Sequence, residues 1–446
     1  MSQSTYQDIE KDPNKNISST SQGDVVSAVT SNTQEDKSPA VQGPPPPPNG
    51  GLIAWLQVLG GFMLFFNTWG ILNAFGVYQT YYEQGTLFKE SSSNISWIGA
   101  IQATMLLMVG FITGPIYDRG KLRWLLIIGS FCIVFGHMML SLCKTFGEVL
   151  CAQGFLVGIG AGCLFVPCVA ILPTYFTTKL GAALGIAVSG SSVGGIIYPI
   201  VLDRLIGPLG FDWATRIIGF IALATLLIPI TVMRQRVTPP KARSLIDWTA
   251  LTDPSYIFFV FTTLIAFMGL FVLLFYISYF ASAARITDST MAMYIVPILN
   301  AGSVFGRTIP NALADKVGPF NLIAPCCTVV GILMLCMIAI TSQASLIVVA
   351  VLSGFFSGAL IGLPPLCFVA LTKDKSMIGT RIGMGFGIIG FGVLCGGPAG
   401  GAIIANSADF DWTGLWAFGG ATAVFAGVMY SALRVAKWGV KLQIRA

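Results

Sequence analysis

The sequence predicts an all-α polytopic membrane protein whose twelve transmembrane helices form two pseudo-symmetric six-helix bundles. Three observations predict it. First, the 446 residues are 54% apolar and 10% charged, with mean hydropathy +0.78; soluble domains run nearer ~25% charged, because their surface must stay in water. Second, the first 50 residues are polar, so the remaining 396 carry the apolar excess. Strung on short loops, they supply twelve spans of about 20 residues each. Third, several local patterns recur in the second half of the chain at a near-constant spacing.

Residues 1–50 are rich in Ser, Thr, Asn, Gln and Asp and end in the proline run Pro44–Pro48. Such a segment cannot bury enough apolar area to offset its ordering entropy, so a disordered cytoplasmic tail is expected. No basic region followed by an apolar core marks a cleaved signal, so the first span directs insertion. Spans one to six fall at about 55–80, 95–117, 122–143, 148–172, 181–205 and 213–233, a first bundle over 51–233. The longest polar connector, 234–255, holds Arg234, Arg236, Lys241, Arg243, Asp247 and Asp253 and reads as a cytoplasmic linker. Spans seven to twelve fall at about 256–280, 289–312, 321–341, 345–370, 380–405 and 413–434, a second bundle over 256–434, with a cytoplasmic tail at 435–446.

With both termini and the even-numbered gaps in the cytoplasm, fifteen basic residues, Arg119, Lys179, Lys316, Lys375, Lys441 and Arg445 among them, lie on that side. The other side has four: Lys89, Lys144, Arg204 and Arg285. Basic residues stay cytoplasmic, so this bias sets the orientation. The repeat shows in three registers. Phe211-Asp212-Trp213 answers Phe410-Asp411-Trp412, the Gly194-Gly195…Pro199 stretch answers Gly396-Gly397-Pro398, and the turn Asp118-Arg119-Gly120 answers Asp315-Lys316-Val317-Gly318. Parallel six-plus-six repeats place a solute site between the halves near mid-membrane.

An acid beside a base at a cytoplasmic helix end can pair with the neighbouring bundle and hold a gate closed. Asp118, Arg119, Asp315 and Lys316 are therefore expected to gate. Glycines crowd spans five and eleven, where small residues let backbones approach closely in lipid. Arg307 alone among the charges lies well inside a span. A mid-membrane arginine costs roughly 2.5–3.5 kcal/mol on insertion scales, so it is kept where it lines water or meets a partner. With it, Asn73, Asn300, Ser303 and Tyr276 are the candidate substrate contacts. Asn67, Gln102 and Gln153 read as ligand contacts or, equally, as hydrogen-bonded joints between helices. The span-seven aromatics Phe267, Phe271, Phe275, Tyr279 and Phe280 suit a cavity wall or, more simply, a lipid face. The sequon Asn94-Ile95-Ser96 on the outer side makes Asn94 a glycosylation candidate.

The composition excludes several classes. Ten cysteines without a CxxC and a single histidine, His137, argue against metal and disulfide frameworks. Few mid-span acids and no phosphate-binding loop argue against an enzyme or an ATP-driven pump. No cofactor and no nucleic-acid partner are expected; the partners are a small organic solute, protons and membrane lipid.

Gly50-Gly51-Leu52-Ile53-Ala54-Trp55 entering span one resembles the opening signature of the monocarboxylate porter branch of the major facilitator superfamily. Tyr175-Phe176-Thr177-Thr178-Lys179, running into Ala183-Leu184-Gly185-Ile186-Ala187, resembles that branch's second signature, and Asn300–Arg307 and Gly379–Met384 resemble its fungal members. The resemblance spans about 49–434 and implies the twelve-helix major facilitator fold and proton-coupled carriage of a monocarboxylate-like solute. The pattern is incomplete: the family's span-one lysine aligns with Asn73, its span-eight acid with Ser303, its opening acid with Asn49 and a usual base with Leu180, while Arg307 is retained. The expected function is a secondary active transporter working by alternating access at the plasma or vacuolar membrane. Export of a secondary metabolite or of a riboflavin-type solute, and a transport-dead nutrient sensor, are the alternatives. Spans one, four, seven and ten are expected to line the cavity.

Overall fold

A computed structural model describes residues 47–236, 244–374, 377–405 and 412–440. The 1–46 part of the expected tail and the residues Lys241, Arg243, Lys375, Phe410, Asp411, Lys441 and Arg445 lie outside them. The described residues hold helices α1 (Leu52–Glu83), α2 (Ser92–Asp118), α3 (Leu122–Leu140), α4 (Phe146–Thr174), a 53-residue piece Leu180–Val232, α7 (Pro254–Ala283), α8 (Ser289–Val317), α9 (Phe320–Ala339), α10 (Gln343–Leu371), α11 (Ile378–Ala405) and α12 (Trp412–Trp438).

Ten of these pieces are long and apolar enough to cross a membrane. Two facts bring the number to twelve. Gly210, at φ 75°, breaks Leu180–Val232 into α5 (180–209) and α6 (211–232), a turn for which an L side chain carries a steric penalty. Helix α8, of 29 residues, is of the same length and is the twelfth. The polar residues it carries make it the most informative helix.

Helix ends follow from local chemistry. Asp253 Oδ1 accepts from Ser255 N at 3.1 Å and Tyr256 N at 3.4 Å, with Pro254 at the first position of α7. Ser91, Thr145, Asp288 and Ser342 cap α2, α4, α8 and α10 in the same way. Helix α1 is interrupted at Thr68 and Ala74, and α4 carries a π-helical stretch at Leu150–Val157.

Glycine sets how the helices meet. In α5, a β-carbon at Gly190 or Gly194 would lie 2.1 or 2.5 Å from the carbonyl oxygens of Phe62 and Phe66 on α1. In α11, Gly392 and Gly396 stand likewise against the carbonyls of Leu264 and Met268 on α7, at 2.2 and 2.3 Å. Each residue of the second set follows its counterpart by 202 positions. The glycines of the Gly-Gly…Pro pattern therefore correspond between halves, but Pro199 and Pro398 do not. The carbonyl contacts fix the spacing of the glycines.

The other faces of α5 and α11 join the bundles: α5 packs on α8 and α11 on α2. The span-seven aromatics do not form a lipid face, and none of them lines the space between the bundles; Tyr279 is half-buried. Phe267, Phe271, Phe275, Tyr276 and Phe280 are all buried in the core, because α7 is enclosed by α1, α11 and α12.

Candidate functional site

The ends of the bundle interface differ. At the end where α1 finishes, α1 meets α7 and α2 meets α11. The rings of Phe75 and Phe275 lie 4.8 Å apart, and a β-carbon on Gly76 would come within 2.6 Å of Leu274 O. Across the interface Ser93 Oγ donates to Pro398 O at 3.0 Å, and within the second bundle Tyr276 Oη donates to Gly397 O at 2.9 Å. This end is sealed.

Toward the other end, which carries Arg119, Lys179 and Lys316, the bundles part around a cavity of about 240 Å³. Phe111 on α2, Phe165 on α4, Leu184 on α5, Pro365 on α10 and Phe386 on α11 line it, and the linker residues Ser244 and Leu245 flank its mouth. A smaller recess of about 30 Å³ shares Phe165, Leu184, Pro365 and Phe386, and adds Trp69 on α1 and Arg307 and Asn311 on α8. Contrary to expectation, α7 lines neither space, since its packing against α1 and α11 is what closes the opposite end. Helices α2, α5 and α11 take its place, and α1 reaches only the recess.

Arg307 is 1% exposed. Its Nε donates to Ser303 Oγ at 3.2 Å and its Nη1 to Ser191 Oγ on α5. Among the described residues no carboxylate forms an ion pair with it. Two turns toward the sealed end, Asn73 Nδ2 on α1 donates to Asn300 Oδ1 at 3.2 Å, and Asn300 lies against Gly195. The structure thus brings Arg307, Asn73, Asn300 and Ser303 into one polar cluster bridging α1, α5 and α8. It leaves Tyr276 outside, in the sealed end. A guanidinium with only hydroxyl partners keeps donors available for an anionic or carbonyl oxygen.

Three residues at this site escaped sequence reading. Ser191 sat unnoticed in a small-residue stretch, although it is the link from Arg307 to the first bundle. Asn311, four residues after Arg307, donates to its carbonyl at 2.6 Å; that spacing could have flagged it. Trp69, buried with its Nε1 unpartnered, looked like any apolar-span aromatic.

The remaining candidates are scattered. Asp315 is exposed, yet its carboxylate lies against Gly181 on α5, where a β-carbon would come within 2.5 Å of it. Asp118 is buried at the end of α2, whereas Arg119 and Lys316 are exposed. Asn94 is exposed and donates to Glu90 at 2.8 Å, but Ser96 of its sequon is buried. Asn67 and Gln153 join helices, accepting from Tyr198 and Tyr82 at 2.6 and 2.7 Å. Both side-chain atoms of Gln102 are buried without a partner. His137 is buried on α3 against Gly219.

The two signatures touch. Asn49 Oδ1 accepts from Thr177 N at 2.6 Å and Thr178 N at 3.0 Å, and Trp55 packs edge-on to Phe176. Where the resemblance expects an acid, the amide oxygen of Asn49 caps the α4–α5 connection.

The Major Facilitator Superfamily profile matches residues 57–363. The chain belongs to that superfamily. It is 71% identical over 379 residues to the MFS-type transporter dbaD of Emericella nidulans, covering 85% of each chain. It is 36% identical over 387 residues to the aspyridones efflux protein apdF of the same organism, covering 86% of this chain and 78% of the relative. It is 34% identical over 379 residues to the agnestins efflux protein AgnL12 of Paecilomyces divaricatus, covering 84% and 86%. The fold resembles a crystal structure of the nucleoside transporter NupG, with a TM-score of 0.66 at 16% identity over 85% of this chain and 99% of that one. The chain is a multi-pass membrane protein of this superfamily, akin to fungal MFS-type transporters.

Proposed function

We propose that this transporter exports an amphipathic organic solute, one with a flat apolar body and an acidic or carbonyl oxygen, across the plasma membrane. The observation that carries the reading is Arg307: a buried cation, without an acid partner, at the closed end of an apolar space between the bundles. The Phe165 and Phe386 rings suit the body, and the guanidinium suits the oxygen. The basic end faces the cytoplasm in this reading, as the charge bias supports, so the cavity takes its solute from inside the cell. The efflux proteins among the relatives point the same way. Proton coupling and the monocarboxylate-porter branch belong to the same proposal, as does a gate at the Asp315–Gly181 contact.

The test compares metabolites inside and outside cells with the chain, without it, and with Arg307→Gln. Cells lacking the chain should retain a group of acidic, aromatic-rich metabolites. Arg307→Gln, present in the membrane at wild-type amount, should retain the same group. A hydrogen bond to a charged group contributes about 1.5–3 kcal/mol, so export should fall roughly 10- to 150-fold. Unchanged export by Arg307→Gln would overturn the reading.

A further inference from the structure

A second cavity, of about 510 Å³, lies at the basic end of the second bundle, outside the solute space. Thr249, Thr252, Ser255, Lys373, Arg381 and Lys437 line it, together with Asp253. Five separate segments supply these residues: the linker, the start of α7, the α10–α11 connection, and the facing ends of α11 and α12.

Its charges are unequally engaged. Arg381 Nε donates to Asp247 Oδ2 at 2.9 Å and Nη1 to Asp253 Oδ2 at 3.3 Å. Asp253 is further committed to capping α7. Burial works against ionising Asp247, yet hydrogen bonds from Thr249 and Arg381 hold its carboxyl below the usual carboxylate range. Both acids are therefore occupied by Arg381 and by backbone. Lys373 and Lys437 form no ion pair among the described residues. Asp374, the acid next to Lys373, does not line the cavity. Asp253, the acid that lines the space, is thus shared between Arg381 and the α7 cap, and the two lysines face the cavity with no carboxylate in ion-pair contact among the described residues, Lys437 lying over the Trp438 ring at 5.1 Å.

The rim is apolar. On the same linker segment Ile246, Trp248 and Leu251 are 43%, 71% and 40% exposed, and Val435 and Val440 flank Lys437 at 43% and 78%. A tryptophan among exposed aliphatics beside cations is the composition of a membrane–water boundary. Basic pockets at this level of a helical bundle suit phosphate headgroups.

We propose that this pocket binds the phosphate headgroup of an anionic phospholipid, with Lys373 and Lys437 as its ligands and Trp248 and Leu251 against the acyl chains. The Arg381–Asp247–Asp253 cluster beneath is the floor that ties the linker to α7 and α11. An occupied pocket therefore fastens the linker beside the mouth of the solute cavity.

The test measures the thermal midpoint of the full chain in phosphatidylcholine nanodiscs as phosphatidylinositol is titrated in, with inorganic phosphate as a separate arm. Phosphatidylinositol should raise the midpoint. In Lys373→Gln/Lys437→Gln its apparent affinity should fall about 30-fold, from roughly 1 kcal/mol for each lysine. Lys121→Gln/Arg123→Gln, exposed residues of the first bundle, should leave it unchanged. An equal fall in both double variants, or none in the first, would overturn the site. Protection by inorganic phosphate equal to that by the lipid would assign the pocket to a soluble phosphate and overturn the lipid reading.

Discussion

At the sealed end the bundles touch through backbone: Gly76 on Leu274 O, Gly401 on Ser93, and Ser93 Oγ on the Pro398 carbonyl. At the basic end they touch through Phe111, Phe165, Phe386 and Pro365, and these rings enclose about 240 Å³. One family of glycines, on α11, takes part in both. Gly401 admits the α2 backbone closely, whereas Gly383 and Gly387 meet only Phe111, a β-carbon there being 3.3 and 3.7 Å from its nearest side-chain atoms. The difference lies less in the glycines than in their partners. A backbone partner allows a tight, directional closure, and a ring partner leaves a surface that a solute can replace.

The largest way to break this contrast is Gly401→Val. Its β-carbon would come within 2.6 Å of Ser93 N and Cα, and backbone cannot yield as a side chain can. Overpacking costs of about 1–3 kcal/mol would disfavour the sealed end by roughly 5- to 150-fold. Reaction of a cysteine introduced at Ser93, in a background without native cysteines, should rise accordingly; alkylation as slow as without the valine would show that the contact does not close this end. A finer probe is Tyr276→Phe, which keeps the ring and removes the hydroxyl that donates to Gly397 O within its own bundle and, at 3.5 Å, to Ser92 O across the interface. One hydrogen bond contributes about 1 kcal/mol net, so the same assay should show an increase of roughly fivefold. No change would place the seal in the ring packing alone.

Much of the fold was legible because it rests on hydropathy and period. The spans announce themselves by apolar composition, and the repeat between the halves supports their number. The site was legible where cost marks it: a charge inside a span is expensive enough that Arg307 stood out, and its neighbours Ser303 and Asn300 came with it at helical spacing. Ser191 and Trp69 did not stand out, because a serine or tryptophan in a span is ordinary until a second helix is placed beside it. Tyr276 illustrates the reverse. Its type and depth fit a solute contact, yet its hydroxyl is taken by the Gly397 carbonyl, a pairing that depends on how α7 and α11 cross. The Asn49–Thr177 contact explains in part why two distant signatures occur together: they form one joint.

The central claim is that opening one end closes the other. Spin labels at Glu90 and Arg285 report the sealed end, and labels at Lys179 and Lys316 report the basic end; all four residues are exposed and each pair crosses the bundle interface. Gly401→Val should lengthen the Glu90–Arg285 distance and shorten the Lys179–Lys316 distance in the same population. A lengthened sealed end with an unchanged basic end would contradict the claim, since the bundles would then be loosening rather than rocking.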